Sequence, residues 1–357
     1  VEEAGQEGMN EVRVQLTNQI VLSPSAAKQV AIVLSNMVRN HEEWREDFKA
    51  PAAVSTPPLA GELNKNIPAS GTKGSFKKAR ALLRQVGGLH VEVSFERSFK
   101  CVQGALLDNR FLLGISRQDM PDKSAKQIEA VYKAMDMPAK LLQEFELYRP
   151  EANHIYFGFE ENETTAVCKV YLEFRDRVEE KIREGDIDSE SHLLFLGFKW
   201  EVEDNTRQVI TRYAWFPSLP VRDILARLHT ASDSRMNKDW TEIPENFVKQ
   251  ASERISHHDI QYLEVSEAGS PRKSFDINLY KAQLRLTDLS PLLWQIMQHY
   301  AIPVDRFQAL YETIKTDRFG HLAFGVDRKG RDFITVYYGV RYLDSHRFES
   351  GSLPAGS

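Results

Sequence analysis

The sequence predicts an α+β protein whose main domain is a ten-stranded antiparallel β-barrel of five αββα repeats, with the helices outside. The first observation behind this prediction is a repeated hairpin motif. Residues 154–160, a polar turn and residues 167–172 match residues 321–327, a turn and residues 334–338, and both copies begin with histidine. Each copy reads as a strand, a tight turn and a second strand, which is a β-hairpin.

Three further hairpins in the same frame are the second observation. In each of them, two stretches with strand patterns flank a short turn that the sequence marks with polar residues or glycine. They comprise residues 89–100 with 106–116, 192–203 with 207–216, and 260–267 with 273–284.

Helical patterns between successive hairpins are the third observation. Apolar residues recur there at the spacing of an amphipathic helix, and prolines break several of the stretches. The predicted helices cover residues 76–86, 122–135, 138–147, 176–184, 221–229, 246–255, 289–300 and 304–314.

Ten antiparallel strands with helices between the hairpins are expected to close into a barrel, because a closed sheet leaves no unpaired edge. Outward side chains are then apolar and buried under helices, while the lumen can be polar. A barrel of eight strands already has room for one small ligand, and ten strands enclose more. The architecture therefore predicts a ligand chamber.

Composition excludes several classes of protein. The 357 residues carry 46 Lys and Arg against 51 Asp and Glu, a net charge of −5. This balance, with no dense basic run, argues against a nucleic-acid partner. No apolar run is long enough for a membrane-spanning helix. Two cysteines, Cys101 and Cys168, make no disulfide framework, so we expect a cytoplasmic protein.

Proline and small residues divide the chain before the barrel. They predict a flexible linker over residues 50–75, between a strand–helix unit at residues 1–49 and the barrel domain at residues 76–347, with a flexible tail at residues 348–357. The stretch around Ser23-Pro24 resembles a small, poorly characterised bacterial domain family with an S-P-x-x-A-K helix start. A unit of this size buries little surface, so we expect it to contact another protein or a second copy.

The second strands of four hairpins share a polar-x-Tyr pattern. Residues i and i+2 lie on the same face of a strand, so each pair presents a polar group and a tyrosine together. Two interpretations stay open: a shared lumen, or ordinary half-buried strand faces. The pairs are Lys169 and Tyr171, Thr211 and Tyr213, Asn278 and Tyr280, and Thr335 and Tyr337.

Over about residues 76–343 the chain resembles the aromatic prenyltransferases of the ABBA, or PT-barrel, class. The Lys169-Val170-Tyr171 stretch matches the Lys-x-Tyr motif of that family, and the other three pairs match its tyrosine half. The resemblance implies that lysines and arginines bind the diphosphate of an allylic donor, and that tyrosines surround the allyl group. Besides Lys169, we expect Arg110 and Arg341 to supply cations.

An aromatic acceptor needs a base or hydrogen-bond acceptor, and Asp276 is the first candidate, with Glu92 and Glu264 behind it. We expect no required cofactor, and magnesium is possible but is not implied by any motif, since the sequence has no DDxxD. Two other interpretations remain. One is a non-catalytic barrel that binds a hydrophobic ligand or peptide and is tethered to an assembly domain. The other is a barrel filled with packed tyrosines.

Overall fold

The computed structural model of the chain describes most of residues 73–350. The predicted N-terminal unit lies outside the described residues, as do the linker up to residue 72 and the tail from residue 351. The described ranges are 73–120, 124–161, 165–184, 191–217, 219–231, 239–270 and 272–350.

Eleven strands and eight α-helices alternate in the predicted order within these ranges. The strands are β1 (Glu92–Val102), β2 (Ala105–Leu107), β3 (Arg110–Ser116), β4 (His154–Glu161), β5 (Ala166–Glu173), β6 (His192–Glu201), β7 (Gln208–Phe216), β8 (Gln261–Glu267), β9 (Lys273–Asn278), β10 (Phe319–Val326) and β11 (Asp332–Asp344). The helices are α1 (Lys73–Gly87), α2 (Ser124–Ala134), α3 (Ala139–Tyr148), α4 (Arg175–Arg183), α5 (Val221–Ala231), α6 (Asp239–Ser252), α7 (Ser290–His299) and α8 (Val304–Ile314).

The sheet closes as the sequence predicts. Each strand from β3 to β11 pairs antiparallel with the next, β1 pairs with β3, and β11 returns to pair with β1. The three-residue β2 pairs with β1 beside this ring and is not one of its ten members. A closed barrel removes the edges that would otherwise recruit another strand. None of the described helices is both long and apolar enough to cross a bilayer.

The hydrophobic core lies outside the barrel, between the strands and the surrounding helices. On β1, Phe99 packs against Phe307 of α8, with ring centroids 6.2 Å apart. On β6, Phe198 packs edge-on against Phe145 of α3 at 5.8 Å. Because alternate side chains point to opposite faces of a strand, burial of one set under helices leaves the other set for the lumen.

A β-bulge in β11 corrects one expectation. Phe95 pairs with Arg341 and Arg97 pairs with Tyr338, so β11 has one residue more than β1 between these pairs. Gly339 lies in this interval with a φ of +68°, a conformation that favours glycine. The extra residue reverses the facing of the strand, and Arg341 lies outside the barrel over the Phe95 ring. The prediction that Arg341 shares the inward face was therefore wrong.

The fourth hairpin ends earlier than predicted. Strand β9 stops at Asn278, and Tyr280–Ala282 form a short 3-10 helix instead of a continued strand to residue 284. The Asn278 side chain accepts a hydrogen bond from the backbone N–H of Tyr280 at 3.2 Å, which stabilises the change of direction. Tyr280 still reaches the lumen, but from this turn and not from a strand face.

We expect Gly339→Ala to lower the free energy of unfolding by about 1–2 kcal/mol, because a Cβ atom is strained at positive φ. A Cβ there would meet Asp317 at an ordinary 3.4 Å, so the cost comes from the backbone and not from a clash. Urea unfolding measures the change. In the control Gly88→Ala, the Cβ would lie at an ordinary contact distance of 3.7 Å from the Gln85 carbonyl oxygen, and φ is not positive, so stability should shift by less than about 0.5 kcal/mol. Equal losses in both variants would contradict this account of the bulge.

Candidate active site

The barrel encloses a chamber of about 450 Å³, so it is not filled with packed tyrosines. The chamber extends from a rim, where Glu92 begins β1 and Glu173 ends β5, to Arg110 and Lys169 inside the barrel. Its wall is mainly formed by inward residues of the strands. A chamber of this size suits a small organic ligand.

Five basic side chains gather at the inner end of the lumen and are termed the cation cluster below. They share two buried carboxylates, Glu160 and Glu267, so positive charge exceeds negative charge among these groups. The cluster consists of Lys100, Arg110, Lys169, Lys199 and Arg272.

Glu160 on β4 is the centre of one half of the cluster. Its carboxylate contacts Arg110 at 2.5 Å, pairs with Lys169, and lies 3.9 Å from the Lys100 ammonium. Burial opposes ionisation of this carboxyl, but the three cations overcome that effect and hold its pKa well below the usual range. Arg110 also donates from Nε to the Ser98 hydroxyl at 3.1 Å. These contacts fix the guanidinium in a buried position.

Arg272 and Lys199 form the other half. Arg272 donates to Glu267 at 2.6 Å, and Arg328 reaches the same carboxylate at 2.6 Å. Lys199 on β6 donates to the hydroxyl of Tyr213 at 3.1 Å. Burial lowers the pKa of Lys169 to about 8 despite the attraction of Glu160, so a buried ammonium is less favourable at this position than in water.

Tyrosines surround the middle of the chamber. Tyr171 and Tyr213 meet edge to face at 5.9 Å, and each contributes a ring face near the Lys199 ammonium. Burial raises the pKa of all the tyrosines in this group, so they stay neutral hydroxyls at neutral pH. This group consists of Tyr156, Tyr171, Tyr213, Tyr280 and Tyr337, and Tyr342 also lines the chamber.

Glycines on neighbouring strands make room for these rings. Gly197 pairs with Tyr171, and a Cβ added to it would lie 2.8 Å from the Tyr171 ring. Gly114 has the same relation to Tyr156, at 2.5 Å. Each ring therefore lies across the adjacent strand instead of pointing straight into the lumen, and this keeps the chamber open.

A histidine between two carboxylates occupies the opposite wall. His321 contacts Asp276 through Nδ1 at 2.7 Å and Glu96 through Nε2 at 3.4 Å, and it stacks on the Tyr337 ring at 3.7 Å. Burial alone would lower the pKa of His321, but Asp276 and then Glu96 raise it to about 10. Glu96 also accepts a hydrogen bond from Tyr280. This wall therefore holds two carboxylates around one imidazolium.

Most of the residues singled out from the sequence meet in this chamber. Thr211 and Thr335 share the inward face but are buried outside the chamber lining, and Thr211 hydrogen-bonds to Glu267 at 3.3 Å. Those that line the chamber are Glu92, Arg110, Lys169, Tyr171, Tyr213, Asp276, Asn278, Tyr280 and Tyr337.

Glu264 does not face the lumen, contrary to expectation. It lies on the outer face of β8, where it pairs with Arg227 of α5 at 3.0 Å and accepts from the Tyr262 hydroxyl at 3.1 Å. Apolar side chains lie on both faces of β8 around Glu264, with Tyr262 outside and Leu263 inside. The alternation of polar and apolar residues therefore did not indicate which face of the strand Glu264 occupies. Glu264 is thus excluded as a base inside the chamber.

Several chamber residues were missed from the sequence. Glu96 and Glu160 alternate with other inward residues on strands that were predicted correctly, so strand phase was a signal that could have found them. The pairing of glycine with tyrosine across strands was a second signal. Lys100 shares the inward phase of Glu96 on β1, whereas Arg272 comes just before β9 and could not be placed by strand phase.

The closed ten-stranded antiparallel barrel, with helices between its hairpins, is the architecture that the sequence predicts. Among solved structures, a 5-dimethylallyltryptophan synthase from Streptomyces coelicolor is similar at 14% identity and a TM-score of 0.46, over 75% of this chain and 97% of that one. A 6-dimethylallyltryptophan synthase from Micromonospora olivasterospora, solved with DMASPP and Trp, is similar at 12% identity and a TM-score of 0.47, over 73% and 84%. AnaPT from Neosartorya fischeri shows 12% identity and a TM-score of 0.43, over 68% and 77%.

No protein-family model matches the chain, and no curated protein sequence matches it.

The histidine between two carboxylates predicts a pH dependence of stability. Because the pKa of His321 is raised from 6.5 to about 10, its stabilising effect is complete below pH 6.5 and is lost as the pH rises towards 10. We expect the stability advantage of the wild type over His321→Gln to fall by up to about 1.4 kcal/mol per pH unit across this window. Urea unfolding at several pH values measures the difference. A His321→Gln curve that runs parallel to that of the wild type would contradict the assignment.

Proposed function

We propose that this chain transfers a prenyl group from an allylic diphosphate to an aromatic or other electron-rich acceptor inside the barrel lumen. The observation that carries the proposal is the position of the cation cluster next to a tyrosine-lined chamber. An anion at one end and a developing carbocation beside it are the two charges that such an arrangement stabilises.

The cation cluster supports the binding of a diphosphate. Among the five cations, Arg110 and Lys169 line the chamber directly. Burial, and after it repulsion from neighbouring cations, lowers the pKa values of Lys100, Lys169 and Lys199, and a diphosphate anion would offset that repulsion. The same cations would stabilise the negative charge that develops on the diphosphate as it leaves the allylic carbon.

The tyrosines support the handling of a carbocation. Their ring faces carry negative electrostatic potential and attract a cation. Their burial also excludes water, which would otherwise capture the cation as an alcohol. Charges of the cation cluster act on the pKa values of Tyr171, Tyr213 and Tyr337, and the Lys199 amine lies 5.6 Å from the Tyr171 ring centre and 5.5 Å from that of Tyr213.

The wall around His321 supports the binding of the acceptor. Asp276 and Glu96 each place carboxylate oxygens beside the chamber, with the His321 imidazole between them. In the proposed reaction, the ring carbon of the acceptor forms a bond to the allylic carbon as the bond to the diphosphate breaks. The ring proton then passes to a carboxylate, for which Asp276 is the first candidate and Glu96 the second.

A non-catalytic barrel for a hydrophobic ligand or peptide is the rival function. The polar lumen disfavours it, because binding such a ligand would desolvate the cation cluster without supplying an anion. The two functions differ in whether a diphosphate is required.

Thermal shift with prenyl diphosphates tests the proposal. We expect dimethylallyl, geranyl or farnesyl diphosphate to raise the melting temperature of the wild type, because a ligand that binds only the folded state stabilises it by about 2.7 kcal/mol at a hundredfold excess over Kd. Lys169→Ala should abolish the shift, and the exposed control Lys140→Ala should retain it. Scans with and without magnesium show whether the metal contributes.

Product analysis completes this test, since a stabilising donor should be consumed when aromatic acceptors are added. No shift with millimolar donor in folded protein would contradict the proposed function. A shift that survives Lys169→Ala, without any product, would favour the non-catalytic barrel.

Substitution of the carboxylates separates their roles. We expect Asp276→Asn to lower kcat by about 10²–10⁴-fold, as removal of a general base does, with little change in donor binding. Steady-state kinetics with the donor found above, together with a donor titration, measures both quantities. An unchanged kcat in Asp276→Asn and a comparable loss in Glu96→Gln would transfer the role of base to Glu96.

A further inference from the structure

We propose that Trp215 determines which acceptor the chamber binds, by donating a hydrogen bond from its indole N–H to a neutral carbonyl oxygen on the aromatic acceptor. This inference rests on the proposed function and deepens it, because it names the chemical group that distinguishes one electron-rich aromatic compound from another.

A buried indole N–H on the chamber wall is the first observation. Trp215 lines the chamber near its rim, and its Nε1 atom is shielded from solvent without a hydrogen-bond partner in the part of the chain that the structure describes. His258, whose short 3-10 helix leads into β8, adds a second such atom, Nδ1, on the chamber lining. Buried N–H groups of tryptophan normally have an acceptor. This side of the rim therefore has unused capacity for hydrogen bonds to a ligand.

Packing fixes the direction of that N–H. The Trp215 ring packs against an apolar cluster at one side of the barrel, so its indole nitrogen is the one polar atom that the side chain offers. A donor held by such contacts needs little reorganisation when a ligand binds. The cluster consists of Val178, Leu194, Tyr213, Leu263 and Val265.

Strand register places Trp215 at a useful distance from the first candidate for the base. Trp215 of β7 pairs with Leu263 of β8, and Leu263 pairs with Asp276 of β9. Neighbouring strands lie about 4.8 Å apart, so the backbones of Trp215 and Asp276 are roughly 10 Å apart. Leu263 lines the chamber between them. An aromatic ring over Leu263 thus has Asp276 at one edge, and a substituent at the opposite edge points towards the indole N–H.

Negative charge along the same side selects a neutral group. Helix α4, which contributes to the cluster around Trp215, also places Asp176 and Glu179 along the chamber. Its Arg175 lines the chamber too, but it is already paired with Glu173 at 2.9 Å. A carboxylate on the acceptor would be repelled there, whereas the carbonyl of a carboxamide would not.

Calorimetric titration of the full chain with three indoles tests the inference. The probes are indole-3-acetamide, 3-methylindole and indole-3-acetate, which share the ring and differ in the substituent. Inorganic diphosphate is present throughout, as the anion for the cation cluster. We expect the wild type to bind the amide about five- to tenfold more tightly than 3-methylindole, as one hydrogen bond to a buried donor predicts. It should bind the acetate about tenfold more weakly than the amide.

Two variants separate the N–H from the ring that carries it. Trp215→Phe keeps an aromatic ring and removes the donor, so the preference for the amide over 3-methylindole should disappear. The affinity for 3-methylindole should stay within about twofold of the wild type, which shows that the chamber is intact. The control Trp294→Phe makes the same change in α7, where the ring packs on Phe307 at 5.1 Å outside the barrel, and it should match the wild type with all three probes.

A wild type without preference for the amide, or without binding of any of the three probes, overturns the inference, as does an undiminished preference in Trp215→Phe. Turnover with a prenyl diphosphate separates the inference from the function on which it rests. Equal kcat/KM for the amide and 3-methylindole, in both the wild type and Trp215→Phe, overturns the role of Trp215 and leaves the proposed function intact. A preference for the amide that depends on Trp215, in a chain that consumes no donor, overturns the proposed function and leaves the carbonyl site in place.

Discussion

The pairing of β1 with β11 is the constraint on which the rest of the structure depends. It closes the sheet, and closure gives every strand an inside and an outside. Apolar side chains outside then pack under helices, and polar side chains inside face one another across the lumen. Glu96 on β1 and His321 on β10 come together only because the ring is complete. Charges that would be solvated on an open sheet are thus brought into one enclosed space.

Strand alternation made much of this arrangement predictable from the sequence. The five hairpins, the helices between them and the inward facing of Lys169 and Tyr171 all follow from local patterns, and the structure confirms them. The predicted face of Arg341 was wrong because a single extra residue in β11 moves the side chains beyond Gly339 to the opposite faces of the strand. The hydrophobicity pattern of the sequence does not reveal such a bulge. Glu264 was misplaced because its strand is apolar on both faces. Contacts across the barrel depend on curvature, which no local pattern encodes.

The lumen combines two polar walls of opposite character. The wall around Glu160 and Glu267 has more cations than carboxylates, whereas the wall around His321 has more carboxylates than cations. Each wall satisfies its own hydrogen bonds in part, and neither fully compensates its charge. Buried charges that are not fully neutralised by opposite charges reduce the stability of the fold, and proteins tolerate this loss of stability at binding sites. The apolar core between barrel and helices supplies the stability that the lumen lacks.

The pairing of glycines with tyrosines has a consequence for how the chamber can diversify. Where a ring lies over a glycine on the next strand, truncation of the tyrosine exposes backbone and not another side chain. The space left by the ring is a groove along the strand that is as deep as one aromatic ring, and the backbone of Gly114 or Gly197 forms its base. A longer hydrocarbon can therefore be accommodated through one substitution, without a change in strand register or barrel circumference. Different substitutions at these tyrosines would therefore give chambers of different length in the same sheet.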